Sequence, residues 1–233
     1  MIIKAVIFDI GQTLVEYRNP LNWSKLYRPA FSHVAEVCGY DFSEEEYEHV
    51  GKILTKYNTR IYPREYEVSS TQIFTEIISG TRIPIEDLGR VKDCFYSYFR
   101  QGAIVYPEAE ETLKELLAKD ILLGTLSDVP YGMDNAYALE DIAFVRNYIR
   151  YPFTSNDVGC RKPCVRCLAF CAEKMGVDIS EIVFVGDEEK DIICANNAGA
   201  YSVLINRSDE RKEFGQAVEI KSLIELIELF EKI

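Results

Sequence analysis

Apolar residues fall into short β-branched runs at the start and in the second half of the chain, and at helical spacing between them. Five of the seven residues from Ile2 to Phe8 are Ile, Val or Phe, which predicts a strand buried on both faces at the centre of a parallel sheet. The period then changes. Leu26, Phe31, Val34, Ala35 and Cys38 mark a helix over Ser24–Cys38. Ser43 and Glu46 form a capping box for a second helix through Tyr47, Val50, Ile53, Leu54 and Tyr57. After a turn-rich stretch at Tyr62-Pro63-Arg64, Ile73, Phe74, Ile77 and Ile78 give Ser69–Ser79 one apolar face. Pro84 opens a fourth helix through Leu88, Val91, Phe95, Tyr98 and Phe99. Four helices without a strand among them predict a helical unit with its own small core.

From Val105 the pattern alternates between strand and helix. Pro107 and the acidic Glu108, Glu110 and Glu111 suit the first turn of a helix reaching about Lys119. Strands are predicted at Ile121–Leu126, at Tyr151–Thr154, at Ile182–Val185 and at Tyr201–Ile205. Between them lie one or two helices in Tyr131–Arg150, one from Pro163 to Met175 and one ending near Asn197; an amphipathic helix over Lys221–Ile233 follows the last strand. This order predicts an α/β fold, a doubly wound parallel sheet with a helical insertion after its first strand.

With 233 residues, 48% hydrophobic and 27% charged, the chain can bury a large core and is ordinary for a soluble globular protein. A formal charge of −12 argues against nucleic acid or an anionic membrane as the main partner. No apolar run approaches the ~20 residues that span a bilayer, and no signal-peptide pattern precedes the first strand, so a cytoplasmic protein is expected. The odd number of cysteines, seven, reads as reduced thiols in that setting.

Three predicted strands end in polar residues at one edge of the sheet: Asp9, Ser127-Asp128 and Asp187. Such edges are where open α/β sheets bind ligands. Asp191 follows Asp187 by four residues, so a helix starting between them would aim both at one point. Converging carboxylates repel unless a hard dication such as Mg²⁺ sits among them. Lys162, in Gly159-Cys160-Arg161-Lys162-Pro163, adds an ammonium, and with the Ser127 hydroxyl it forms a cradle for a phosphoryl group.

In order, FDIGQTL, LLGTLSD, GCRKP and VGDEEKD resemble the four motifs of the haloacid dehalogenase superfamily. The resemblance implies a Rossmann-like core at residues 1–15 and 104–233, with the helices of 16–103 as an inserted all-helical cap domain. It implies that Asp9 is the nucleophile and that Ser127 and Lys162 hold the phosphate; Asp128 beside them is either a turn residue or a further phosphate contact. Asp9, the carbonyl of Gly11, Asp187 and Asp191 would bind Mg²⁺. The expected activity is a Mg²⁺-dependent phosphatase acting on a small phosphorylated metabolite through an aspartyl-phosphate, as a monomer or homodimer. The rivals are a 2-haloacid dehalogenase and a non-catalytic phosphate-ligand-binding regulator.

One position departs from the family's phosphatases. They usually carry a second Asp two residues after the nucleophile, which protonates the leaving group; here it is Gly11. A general acid is worth ~10²–10⁴ in rate, and Gln12 does not titrate. Glu16, Tyr17 and Tyr62 are conceivable substitutes. Cys160, Cys164, Cys167 and Cys171 crowd together, yet three of them share one predicted helix face, which cannot wrap a metal, so small buried hydrophobes are expected. His33 and His49 read as surface or cap-core histidines, and most cap aromatics as packing residues.

Overall fold

The computed structural model describes residues 2–17, 22–100 and 102–231. β1 (Ala5–Phe8) is followed by β2 (Val15–Glu16), then by α1 (Trp23–Cys38), α2 (Glu44–Tyr57), α3 (Ser70–Ser79) and α4 (Leu88–Tyr98). β3 (Ile104–Val105), α5 (Ala109–Ala118), β4 (Leu122–Ser127), α6 (Asn135–Ala138), β5 (Tyr151–Thr154), α7 (Ser155–Val158) and α8 (Arg166–Met175) continue the chain. It closes with β6 (Ile182–Gly186), α9 (Glu189–Ala198), β7 (Tyr201–Ile205), β8 (Val218–Ile220) and α10 (Glu225–Phe230).

Six parallel strands form one sheet in the order β5-β4-β1-β6-β7-β8. This is the doubly wound order of a Rossmann-like sheet, in which the order of strand addition reverses between β1 and β6. Both faces of β1 are buried because it is flanked on both sides. Val6 and Phe8 join the cluster under α5 and α10 with Leu113, Val183 and Leu226. Ala5 and Ile7 join the opposite one with Leu168, Phe184 and Ala195. The nearly all-apolar opening run thus follows from having a layer of helices on each side.

The four long helices pack around Phe31, Leu54, Ile73, Phe74 and Phe95, a core separate from the two beside the sheet. β2 and β3 pair antiparallel, Val15 opposite Val105, as the stem where the helical unit leaves and rejoins the sheet. Tyr131, from the turn after β4, enters this core edge-on to Tyr27, their hydroxyls 2.5 Å apart. No helix of the described residues is long and apolar enough to cross a membrane.

The structure corrects the sequence at four places. Tyr131–Arg150 holds single turns rather than one or two helices. Tyr131 and Gly132 are left-handed, and a Cβ at Gly132 would lie 2.2 Å from Val68 O, so the chain breaks there to meet the helical unit. Pro163 does not begin α8; it lies in a turn, and the helix starts at Arg166. The last helix is confined to Glu225–Phe230, because Val218–Ile220 is drawn into the sheet edge and Lys221–Ser222 turn away from it. The predicted extension to residues 232–233 lies outside the described residues. β2 and β3 were not expected, being two residues each.

Candidate active site

β1 ends by delivering Asp9 to the carboxyl edge of the sheet, and its amide still donates to Val185 O at 2.8 Å. Across the reversal point, Asp187 directly follows β6. α9 begins two residues later and carries Asp191 back over the strand ends. That return is close: a Cβ on Gly186 would fall 2.4 Å from Asp191 Oδ2, so only glycine permits it. Asp9, Asp187 and Asp191 each place a carboxylate oxygen within 4.8 Å of the others, which no other group of His, Cys, Asp or Glu matches among the described residues.

Lys162 is brought in by the loop after α7, its side chain wholly buried. Its Nζ donates to Asp9 Oδ1 at 2.6 Å and lies 2.7 Å from Asp191 Oδ1. Both side chains of that second ion pair are wholly buried. Asp191 Oδ2 accepts from the Glu188 amide at 3.0 Å, fixing the carboxylate at the start of α9.

One ammonium does not balance three carboxylates. Burial pushes Asp9 up to about 6, against the pull of Lys162. Asp187 is pushed up to about 8 by burial and by the Asp9 and Asp191 charges. Burial alone would lower Lys162, but Asp191 and Asp9 hold it well above the usual lysine range. Three carboxylates converging within 4.8 Å, all-oxygen donors with more negative charge than one ammonium offsets, fit a hard dication such as Mg²⁺.

Ser127 closes β4 opposite Thr154 of β5, one strand away from Asp9. Asp128, grouped with the phosphate-binding residues from sequence, has other contacts. Its Oδ1 accepts from the Lys162 amide at 3.1 Å, and its Oδ2 lies 3.2 Å from Lys190 Nζ. Asp128 thereby ties the lysine loop to the end of β4. Gly11 lies in the turn after β1, bridged to Val15. A Cβ there would sit 3.1 Å from Tyr17 Cε2, so the Tyr17 ring occupies the space beside the missing side chain. Its hydroxyl donates to Asp141. Gln12, left-handed, accepts from Tyr106 Oη at 3.0 Å.

Sequence reading missed a second shell of charge. Lys190 Nζ lies 2.8 Å from Glu188 Oε2, and Arg60 of the helical unit reaches Glu188 Oε1 at 2.8 Å. Burial would raise the Glu188 carboxyl, yet Lys190 and Arg60 bring it down to about 2. Lys190 was visible inside VGDEEKD; Arg60 was not, since its partner lies 128 positions away. All seven cysteines are free and buried. Cys164 precedes α8, so only Cys167 and Cys171 share that helix, and Cys160 Sγ lies 2.9 Å from Cys167 Sγ.

Residues 3–199 match the haloacid dehalogenase-like hydrolases. The chain is 28% identical to the ribulose-1,5-bisphosphate 5-phosphatase of Halopiger xanaduensis, over 88% of this chain and 86% of that one. It is 28% identical to the phosphoglycolate phosphatase of Escherichia coli K12 over 59% of this chain and 55% of that one. In fold it is similar to a 2-haloacid dehalogenase from Pseudomonas syringae pv. Tomato, with TM-score 0.69 at 20% identity and 99% of each chain covered. A haloacid dehalogenase-type phosphatase from Thermococcus onnurineus gives TM-score 0.61 at 22% identity, covering 98% of each. With its reversal-point carboxylates, its buried lysine and a family match over nearly its whole length, this chain belongs to the haloacid dehalogenase-like hydrolases.

Proposed function

We propose that this hydrolase removes the phosphoryl group of a small phosphorylated metabolite, with Asp9 as nucleophile and residues 16–103 as the cap over the site. The observation that carries the reading is the 2.6 Å contact of Lys162 Nζ with Asp9 Oδ1 at the meeting point of three carboxylates. The phosphatase relatives support the class of substrate. Asp9, Asp187, Asp191 and the Gly11 carbonyl would hold Mg²⁺, which when bound offsets the charge of carboxylates and phosphate together.

Asp9 Oδ attacks phosphorus, the bond to the leaving oxygen breaks, and the group is carried as an acyl phosphate on Asp9. Lys162 holds Asp9 ionised and oriented, and later offers its N–H bonds to the phosphoryl oxygens with the Ser127 hydroxyl. Water then attacks the acyl phosphate, giving inorganic phosphate and free Asp9. Asp128 keeps Lys162 in place through its amide.

The test is a panel of phosphate esters with and without chelator, and with Asp9→Asn. Hydrolysis should vanish with chelator, return on adding Mg²⁺, and fall by ~10⁴ or more in Asp9→Asn with the circular dichroism spectrum unchanged. Halide release from 2-chloropropionate that ignores chelator would replace this reading with a dehalogenase.

A further inference from the structure

A second ammonium stands at the site, with no part in the proposed mechanism. Lys190 lies in the first turn of α9, which follows β6, yet its Nζ comes within 3.2 Å of Oδ2 of Asp128, the residue after β4. β1 lies between β4 and β6 in the sheet. The Lys190 side chain therefore passes across the end of β1, where Asp9 follows the strand. Its charge acts there: burial raises the Asp9 carboxyl most, and Lys162 and Lys190 are the cations that pull it back.

Lys190 is held from both sides, by Asp128 on the β4 side and by Glu188 Oε2 at 2.8 Å on the β6 side. The two carboxylates differ. Glu188 has Arg60 as a second cation. Asp128 is 5% exposed along its side chain and adjoins Ser127, whose hydroxyl the proposed mechanism gives to the phosphoryl oxygens. Burial works against its ionised form, but Lys162, Lys190 and Arg161 outweigh it and hold the carboxyl below its usual range. Its Oδ1 accepts from the Lys162 amide at 3.1 Å, a bond that a neutral amide oxygen would make as well. The tie to the lysine loop thus needs an acceptor, not a charge, and the charge stands beside the place of an incoming dianion.

We propose that Lys190 is a positioning residue for phosphate, which acts through Asp128. It cancels the Asp128 charge, so that a phosphoryl dianion settles among Ser127, Lys162 and Asp9, and it does not touch the phosphate itself. The proposal rests on the phosphatase reading and adds to it the residue that sets affinity for the dianion.

Orthophosphate binding is measured by calorimetry on the protein saturated with Mg²⁺. Lys190→Met should weaken it roughly 10- to 100-fold, as uncovering one unit charge near a dianion in a partly buried site implies. Lys190→Arg, which keeps the charge, should retain much of the affinity. Asp128→Asn combined with Lys190→Met removes both charges and keeps an acceptor for the Lys162 amide, so it should recover most of the loss. Asp128→Asn alone leaves Lys190 uncancelled and should bind orthophosphate more tightly than the unmodified protein; this arm decides the matter should Lys190→Met fail to fold. In kinetics, Lys190→Met should raise KM for p-nitrophenyl phosphate and spare kcat, because bound substrate and transition state feel the repulsion alike. Unchanged affinity in Lys190→Met overturns the proposal, as does Asp128→Asn binding no more tightly than the unmodified protein. A double variant as weak as Lys190→Met overturns it too, and would make Lys190 a direct phosphate ligand. Absence of turnover with every ester would count against the phosphatase reading, while the calorimetry would still decide Lys190.

Discussion

At the scale of single residues the position that matters most is Gly11, where a general acid would be expected. Its place is bounded by the Tyr17 ring, 3.1 Å from where a Cβ would lie. Tyr17 is a poor substitute donor: burial and the Asp141 carboxylate raise its phenol well above its ordinary value. The leaving oxygen then carries its charge alone, so esters with stable anionic leaving groups should react far better than alkyl phosphates. Log kcat/KM plotted against leaving-group pKa should fall steeply, wherever chemistry limits the rate. Gly11→Asp should flatten that slope, provided the Tyr17 ring yields by a few tenths of an ångström. A flat slope in the unmodified enzyme would reveal another proton donor.

At the scale of elements the segment 58–68 links the helical unit to the sheet. The Glu67–Arg161 pair holds it at one end and the Arg60–Glu188 contact at the other. They differ in weight. Arg60 is 81% exposed along its side chain, and exposed pairs contribute about 0–1 kcal/mol. Glu67 and Arg161 are almost wholly buried, and removing one member of a buried pair costs about 3–5 kcal/mol. Glu67→Ala should therefore lower the urea midpoint by an amount equivalent to that range, with Arg60→Ala close to the unmodified protein. Equal effects of the two substitutions would show that the segment is not anchored at Glu67.

At the scale of the whole molecule the site stores repulsion that folding must bear. Asp9 and Asp187 are raised to about 6 and about 8 in the folded protein, above the ordinary carboxyl value of about 4. A carboxyl raised by folding contributes stability that is full below about pH 4 and is lost as pH rises through the folded values. Glu188, held at about 2, is ionised throughout that range and does not change the sign. In chelator, Tm should fall between about pH 5 and about pH 8. Mg²⁺ needs both carboxylates ionised, so the Tm it restores should grow with pH. Scanning calorimetry with and without Mg²⁺ reads both, and a Tm that stays level in chelator would contradict the crowding of these carboxylates.

The sequence by itself determined the five strands β1, β4, β5, β6 and β7, because a both-faces-buried strand such as Val6–Phe8 must be apolar throughout and a strand-end carboxylate such as Asp9 then stands out. It determined the first four helices, whose 3.6-residue period and local caps such as Ser43–Glu46 need no distant partner. It also marked Asp9, Ser127, Lys162, Asp187 and Asp191, since each ends or follows an element with a legible pattern. Only the tertiary structure decided the rest. The breaks at Tyr131 and Gly132 depend on Val68 O, and the start of α8 at Arg166 depends on how the Lys162 loop turns. The contacts of Asp128, Arg60 and Tyr17 are made with residues far along the chain. Periodicity records which face of an element is buried; it does not record which charge meets which across the fold.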